Sequence, residues 1–502
     1  MESQSPPCKV PGLLSLPTEL LDHIFKLFCF CFDCQSNPST DLSAFFRDPN
    51  REYLAELRKL SLTCRRLRDI AQPILFHRAQ DGLNSQHFVG ALRRDPKLAS
   101  SVKCLSLMSF SRGQGDHSPT APVSFRFSID QGAAFVHTQL QGLSSLGLNH
   151  VPADGIRCLS LVGQLKVLCI NLGNNLEFLL PAALHTIEAC RKKEFLPCLT
   201  SLLIRQPPAL NHAALAYNMA RVDVALIMLH APKLKHLELD RAYIDIDRRL
   251  LSSMQGSFRN LTTLRLTNAP GSLFQAPGSY TLPLKIMLGK CTRLVSFSLS
   301  FPIQVNASTI DYVLRCSDLF NWLRPSQKTL RSILVMADFA ATANVVTVPD
   351  GLLSGFLTLT ELRLDQTRHF YLQNFTPPHH GFDYLPLEEL RATAPSSLKT
   401  LHLVWRQGWL QFAAFHSFTQ ELAKSQFPCL QRFTVEVSPL TLLRLNLSVE
   451  GLTAISISWA RAIVVMFEGS GVDVTIRTTV DTPGGQSQIL AQTHRRSDTA
   501  AL

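Results

Sequence analysis

Leu234-Lys235-His236-Leu237-Glu238-Leu239 is the stretch on which the reading of this chain turns. Its last two apolar residues stand two apart, as residues sharing one face of a strand do. Glu238 between them then points to the opposite face. The same spacing returns at Leu199-x-x-Leu202-x-Ile204, Leu261-x-x-Leu264-x-Leu266, Leu294-x-x-Phe297-x-Leu299 and Leu330-x-x-Ile333-x-Val335. It continues at Leu359-x-x-Leu362-x-Leu364, Leu398-x-x-Leu401-x-Leu403 and Leu430-x-x-Phe433-x-Val435, and weaker copies begin at Val102, Leu143 and Leu165. From Leu199 to Leu430 the first residues lie 35, 27, 33, 36, 29, 39 and 32 positions apart. Triplets alone prove little in so apolar a chain, and Leu57-x-x-Leu60-x-Leu62 is an unrelated one. Context supports the set: Pro197, Pro232 and Pro428 stand two residues before a first Leu, and Pro395 stands three before. A proline there ends a helix and leads into extended chain.

The repeating unit is therefore a short strand plus a helix, with the helix expected in stretches such as 222–231 (VDVALIMLHA) and around Ile246 to Met254. One such unit cannot bury its apolar face alone, whereas a stack can. The pattern resembles a degenerate leucine-rich repeat. The signature Asn after the triplet is mostly absent, with Asn149 and Asn268 as matches. The resemblance implies an α/β solenoid that is curved, with parallel strands on its concave side and helices outside; a chain of separate α/β domains is the alternative. The middle residues of the triplets, Glu238, Arg265, Ser298, Arg363, His402 and Thr434, are expected on the concave surface as partner contacts. Their mixed signs suit a protein segment better than a nucleic-acid backbone.

The N-terminal stretch has a different period. In LLSLPTELLDHIFKLF (13–28), Pro17 marks a helix start and Glu19 suits the positive end of its dipole. Leu20, Leu21, Ile24, Phe25 and Phe28 recur at helical spacing. After a polar stretch at about 33–50, YLAELRKLSLTCRRLRDIAQPILFHRA (53–79) places Leu57, Leu60, Cys64, Leu67 and Ile70 or Ala71 on a second stripe. A generic helical hairpin would account for stripes alone. The ordered Leu-Pro, Glu-Leu-Leu and Ile-Phe steps, followed by Cys before an Arg pair and Ala-Gln-Pro before Leu-Phe, resemble an F-box of the type common in fungal proteins. The polar stretch is longer than the family's usual loop and reads as an insertion. The resemblance implies a three-helix module docking a Skp-type adaptor, and through it a cullin. It also implies apolar docking residues at Leu16, Pro17, Leu20, Leu21, Ile24, Phe25, Cys64 and Leu67, whose alternative role is packing within the module.

Composition narrows the remaining classes. The 502 residues are 46% apolar and 17% charged, enough for a large core. The net charge of +11 is spread thinly, Arg191-Lys192-Lys193 being the longest basic run, so no nucleic-acid partner is expected. No apolar run of membrane-spanning length and no export signal is found, so no membrane partner is expected and the 13 cysteines are read as reduced. This points to the cytoplasm or nucleus. Cys29, Cys31 and Cys34 lack a second Cys pair, and the cluster of His369, His379, His380 and Asp383 falls in a Pro-containing loop; neither is read as a metal site. Gly271 to Gly278 lacks the lysine of a phosphate loop, and no catalytic motif occurs. No cofactor and no enzymatic activity are expected. The chain is thus divided into a disordered lead (1–11), an F-box (12–80), a repeat array (81–478) and a flexible tail (479–502). The expected function is a substrate-recruiting F-box subunit of an SCF-type ubiquitin ligase, holding an unknown protein substrate. A repeat scaffold that does not direct ubiquitination is the main rival, and an α/β enzyme the least favoured.

Overall fold

Every triplet from Leu199 to Leu430 leads into a strand, and the second and third apolar residues of each are buried. A computed structural model describes residues 13–27, 51–80, 94–108, 145–149, 164–171, 196–205, 221–223, 230–241, 243–245, 257–267, 283–300, 316–336, 355–365, 395–405, 427–437, 460–479 and 487–492, with isolated positions at 91, 143, 228, 353, 419, 420, 422 and 458. The chain divides into two compact units, residues 1–220 with 229–234, and residues 221–228 with 235–502.

The first unit opens with helices α1 (Thr18–Lys26), α2 (Arg51–Thr63) and α3 (Arg65–Phe76). It continues through β1 (Arg78–Gln80), α4 (Pro96–Ser101), β2 (Cys104–Met108), β3 (Ser145–Asn149), β4 (Val167–Asn171) and β5 (Ser201–Arg205). Pro17 caps α1 in an extended conformation with φ −54° and ψ 150°, the start that its fixed ring favours. Asp95 caps α4 by accepting from Lys97 N at 2.9 Å. The strands pair in parallel in chain order, with Cys104, Ser145, Val167 and Ser201 in one row. The weaker copies at Val102, Leu143 and Leu165 belong to this sheet, and all three residues are buried.

The second unit contains β6 (Arg221–Asp223), β7 (His236–Asp240), β8 (Tyr243–Asp245), β9 (Thr263–Thr267), α5 (Pro283–Lys290) and β10 (Ser296–Ser300). Then come α6 (Cys316–Leu323), β11 (Ser332–Met336), β12 (Glu361–Asp365), β13 (Thr400–Trp405), β14 (Arg432–Val437), β15 (Asp473–Thr479) and β16 (Ser487–Gln492). Strands β7, β9, β10, β11, β12, β13, β14 and β15 pair in parallel in that order. Leu237, Leu264, Phe297, Ile333, Leu362, Leu401, Phe433 and Val474 form one buried row across them. Leu284, Met287 and Leu288 of α5 and Leu319, Phe320 and Leu323 of α6 are buried too.

The register is set before each strand begins. The N–H of the residue after the first Leu donates to the carbonyl of the corresponding residue in the preceding repeat. Thr262 thus bonds Lys235 at 2.8 Å, Val295 bonds Thr262 at 2.7 Å, Arg331 bonds Val295 at 2.8 Å, and Thr360 bonds Arg331 at 2.9 Å. The hydroxyls of Thr262 and Thr360 add a further bond to the same carbonyls, each at 3.1 Å. Three residues before the first Leu, Phe258, Phe356 and Phe427 are buried and accept the turn-closing N–H of Leu261, Leu359 and Leu430. Ser326 joins two turns from the interior, donating to Cys291 O at 2.6 Å and accepting from Leu294 N at 3.3 Å.

Three sequence expectations are changed. Residues 222 and 223, read as the start of a helix over 222–231, lie in β6, which pairs with β8 in parallel. The tail read as flexible contains β16, which pairs antiparallel with β15 and occupies the ladder groups of that edge. A further repeat was missed because Gly471 stands where the first Leu is expected, ahead of Val474 and Ile476. The lead 1–11, the insertion at 33–50, the cysteines at 29–34, the helix expected around 246–254, the loop at 271–278, Asn268 and the histidine cluster at 369–383 lie outside the described residues.

Candidate functional site

Two surfaces bring together the residues singled out in the sequence. On the first, α1 divides its side chains between two sides. Leu21 and Phe25 are fully buried, and they share one cluster with Leu57, Leu67, Ile70, Ala71 and Ile74. Leu16, Ile24 and Cys64 pack partly against that cluster. Pro17 and Leu20 face outward. Of the eight docking candidates, Leu21, Phe25 and Leu67 therefore serve internal packing, while Pro17 and Leu20 present free surface. Leu13, Leu14, Leu27 and Leu62 are exposed as well, Leu27 and Leu62 by 72% and 70%.

Arg66 joins the two halves of this module. Its guanidinium donates to Leu14 O, to Leu16 O at 2.6 Å and, at 3.5 Å, to Thr18 Oγ1. One planar fork thereby holds the start of α1 against the start of α3. Sequence reading noticed the Arg pair but assigned it no role; only the fold brings residue 66 within reach of residue 16. A cleft of about 460 Å³ opens beside α1 and α3, with Asp22, Lys26, Asp69, Pro73, His77 and Lys103 on its walls. Charges of both signs alternate there, and Asp22 already pairs with Lys26 at 2.6 Å, so the cleft favours neither anions nor cations.

The second surface is the strand face of the second unit opposite the buried leucine row. Glu238, Arg265, Ser298, Leu334, Arg363, His402, Thr434 and Thr475 fall in register across it. All six sequence candidates lie in this one row, and Leu334 is an apolar member that the polar list passed over. Their expected exposure holds only in part. Arg265, Ser298, Arg363 and His402 are half-buried, whereas Glu238 and Thr434 are buried. Neighbours on adjacent parallel strands stand only about 4.8 Å apart and cover one another. Charge pairing accompanies the burial of Glu238: Arg265 Nη1 lies 3.7 Å from its Oε2.

A second group centres on Glu436. Its Oε2 lies 3.3 Å from His402 Nε2 and 3.6 Å from Arg363 Nη2. The His402 contact is the main cause that holds the carboxyl below its usual range, helped by Arg363 and Arg477 and opposed by burial. Burial in turn pushes His402 below its ordinary value, which outweighs the raising effect of Glu436. His236 is pushed down by burial and by Lys235. Sequence reading missed Glu436 because it lies two residues beyond the triplet row; only the crossing of β13 by Arg363 brings the groups together. Among the described residues no His, Cys, Asp or Glu group of three could hold a metal ion. No described helix is long and apolar enough to cross a membrane. Comparison with models of known protein families gave no match, and comparison with curated proteins gave none either.

Proposed function

We propose that this chain is a substrate-recruiting F-box subunit of an SCF-type ubiquitin ligase. Its N-terminal module docks a Skp-type adaptor, and through it a cullin. A protein segment binds the polar strand face, whose strands belong to a leucine-rich-repeat-like solenoid with that face on its concave side. The chain itself performs no catalysis, and it works in the cytoplasm or nucleus. The motif resemblance across residues 16–76 supports the module.

The observation that carries the proposal is the outward row of leucines. Leu13, Leu14 and Leu20 stand 43%, 53% and 50% exposed around the start of α1. Exposed apolar side chains gathered on one module mark a partner site. An anchor at the centre of such a site is commonly worth about 2 kcal/mol or more.

Leu20 gives the cleanest test, because Ile24 also packs against the core and its replacement would disturb folding. The full chain and its Leu20→Asp variant are compared for capture of a purified Skp-type adaptor. Wild-type capture lost in a variant of unchanged circular dichroism is the expected result. Failure of the wild-type chain to bind the adaptor would overturn the proposal. Turnover of bound partners in a reconstituted ligase separates substrate recruitment from scaffolding.

A further inference from the structure

Strands β4 and β5 of the first unit carry apolar residues on the face that is mostly polar in the second unit. Leu168, Ile170, Leu202 and Ile204 point to one side of β4 and β5, and Val167, Cys169 and Leu203 point to the other. Cys169 and Leu203 hold the triplet positions that Glu238, Arg265 and Ser298 hold in the second unit. Left open, Val167, Cys169 and Leu203 would form an apolar patch. They are buried instead, in the same cluster as Leu21, Phe25, Leu57, Leu67, Ile70, Ala71 and Ile74 of the three N-terminal helices.

On β4 and β5, apolar residues at this register position therefore coincide with cover by the module, while β2 and β3 carry Ser106 and Gly147 there. We propose that the N-terminal module is the built-in cover of this strand face, and that docking on its outer leucines is coupled to its seating. Helix α1 presents Leu20 outward while it seats Leu21 and Phe25 inward. It cannot leave the strands without moving the outer row. A partner bound to the seated form holds the cover closed, and a loosened cover weakens docking, because linkage works equally in both directions. The cover rests on the cluster alone; the coupling also rests on the adaptor reading above.

Cys169 is a reporter already in place. It is fully buried in the first unit, Cys291 is fully buried in the second, and Cys429 is exposed. Burial pushes the Cys291 thiol up to about 12, which makes it a slow internal control. The full chain is treated with N-ethylmaleimide, and modification at each cysteine is followed by peptide mass spectrometry. In the wild-type chain Cys429 reacts quickly while Cys169 and Cys291 are protected. Leu21→Ala and, separately, Phe25→Ala raise the Cys169 rate at least about tenfold and leave Cys291 unchanged, since local opening is governed by local packing. A Skp-type adaptor at about 100 times its Kd slows Cys169 modification about 100-fold in the wild-type chain. Cys169 reacting as fast as Cys429 in the wild-type chain, or staying protected in both variants, would overturn the cover. An adaptor that binds without slowing Cys169 would overturn the coupling. An adaptor that does not bind removes the F-box reading and the coupling together, while the two variants still decide the cover.

Discussion

His402 Nε2 and Glu436 Oε2 lie 3.3 Å apart on the polar strand face, with a guanidinium nitrogen of Arg363 3.6 Å from the same carboxylate oxygen. Burial lowers the His402 pKa from its ordinary 6.5, so the folded chain binds fewer protons than the unfolded one as pH falls below that value. The His402 contact, with the two arginines, lowers Glu436 from its ordinary 4.5, so its contribution is complete above that value and is lost as pH falls through the lowered pKa. Both groups make the fold weaker in acid. The urea midpoint should be level above about pH 7 and decline as pH falls past about 6.5, where an unperturbed histidine titrates. His402→Gln should make the upper part of that decline shallower, the remainder belonging to the buried His236, and should also weaken the lower part, because the His402 contact is the main cause of the Glu436 shift. An unchanged profile in the variant would show that His402 does not titrate as its burial implies.

Gly289 and Gly471 should respond to alanine with opposite signs. Gly471 has φ +77°, and no atom lies within 4 Å of an added Cβ. Its cost is backbone strain alone, about 1 kcal/mol or more of destabilisation. Gly289 lies in α5 with equally open space and no positive φ, so Gly289→Ala should stabilise by about 0.5–1 kcal/mol. Denaturant midpoints of the two single variants test the contrast; equal shifts would contradict it.

Two residues of α1 should differ as strongly. Leu20 is half-exposed and Phe25 is 1% exposed. Phe25→Ala should cost about 3–5 kcal/mol and Leu20→Ala less than about 0.5 kcal/mol. Calorimetry of both variants would detect the difference, and a stable Phe25→Ala chain would argue against the buried cluster.

For the partner surface, Ser298 is a better probe than the arginines beside it. Reversing Arg265 would set a second carboxylate against Glu238 and disturb the face itself. Ser298 stands between Arg265 and Leu334 in register and, being uncharged, takes no part in the Arg265–Glu238 pair. Ser298→Trp should deplete proteins that co-purify with the full chain, measured by quantitative mass spectrometry, and leave adaptor capture unchanged. An unaltered set of co-purifying proteins would move the partner site elsewhere. Nucleic-acid binding with a steep salt slope would contradict a protein segment as the ligand.

Much of the strand array could be read from residue spacing because its information is local. Leu237 and Leu239 must share a face by the two-residue period of a strand. Regular spacing then predicts that Glu238, Arg265, Ser298, Arg363, His402 and Thr434 fall in one row, as they do. The helix start at Pro17 was legible for the same reason: a fixed φ is a property of one residue.

What spacing left open depends on contacts between distant parts of the chain. The pattern 20-21-24-25 shows a stripe on α1, but only tertiary packing commits Leu21 and Phe25 to Val167, Cys169 and Leu203 and leaves Leu20 outside. Arg66 is an ordinary surface arginine until folding brings residue 16 to it. Glu436 and Arg363 are 73 positions apart, and their pairing exists only because β12, β13 and β14 lie side by side. The amino-acid sequence by itself determined which residues alternate along each strand. The tertiary structure decided which side of the sheet each segment covers, because burial is a property of neighbours that local spacing does not contain.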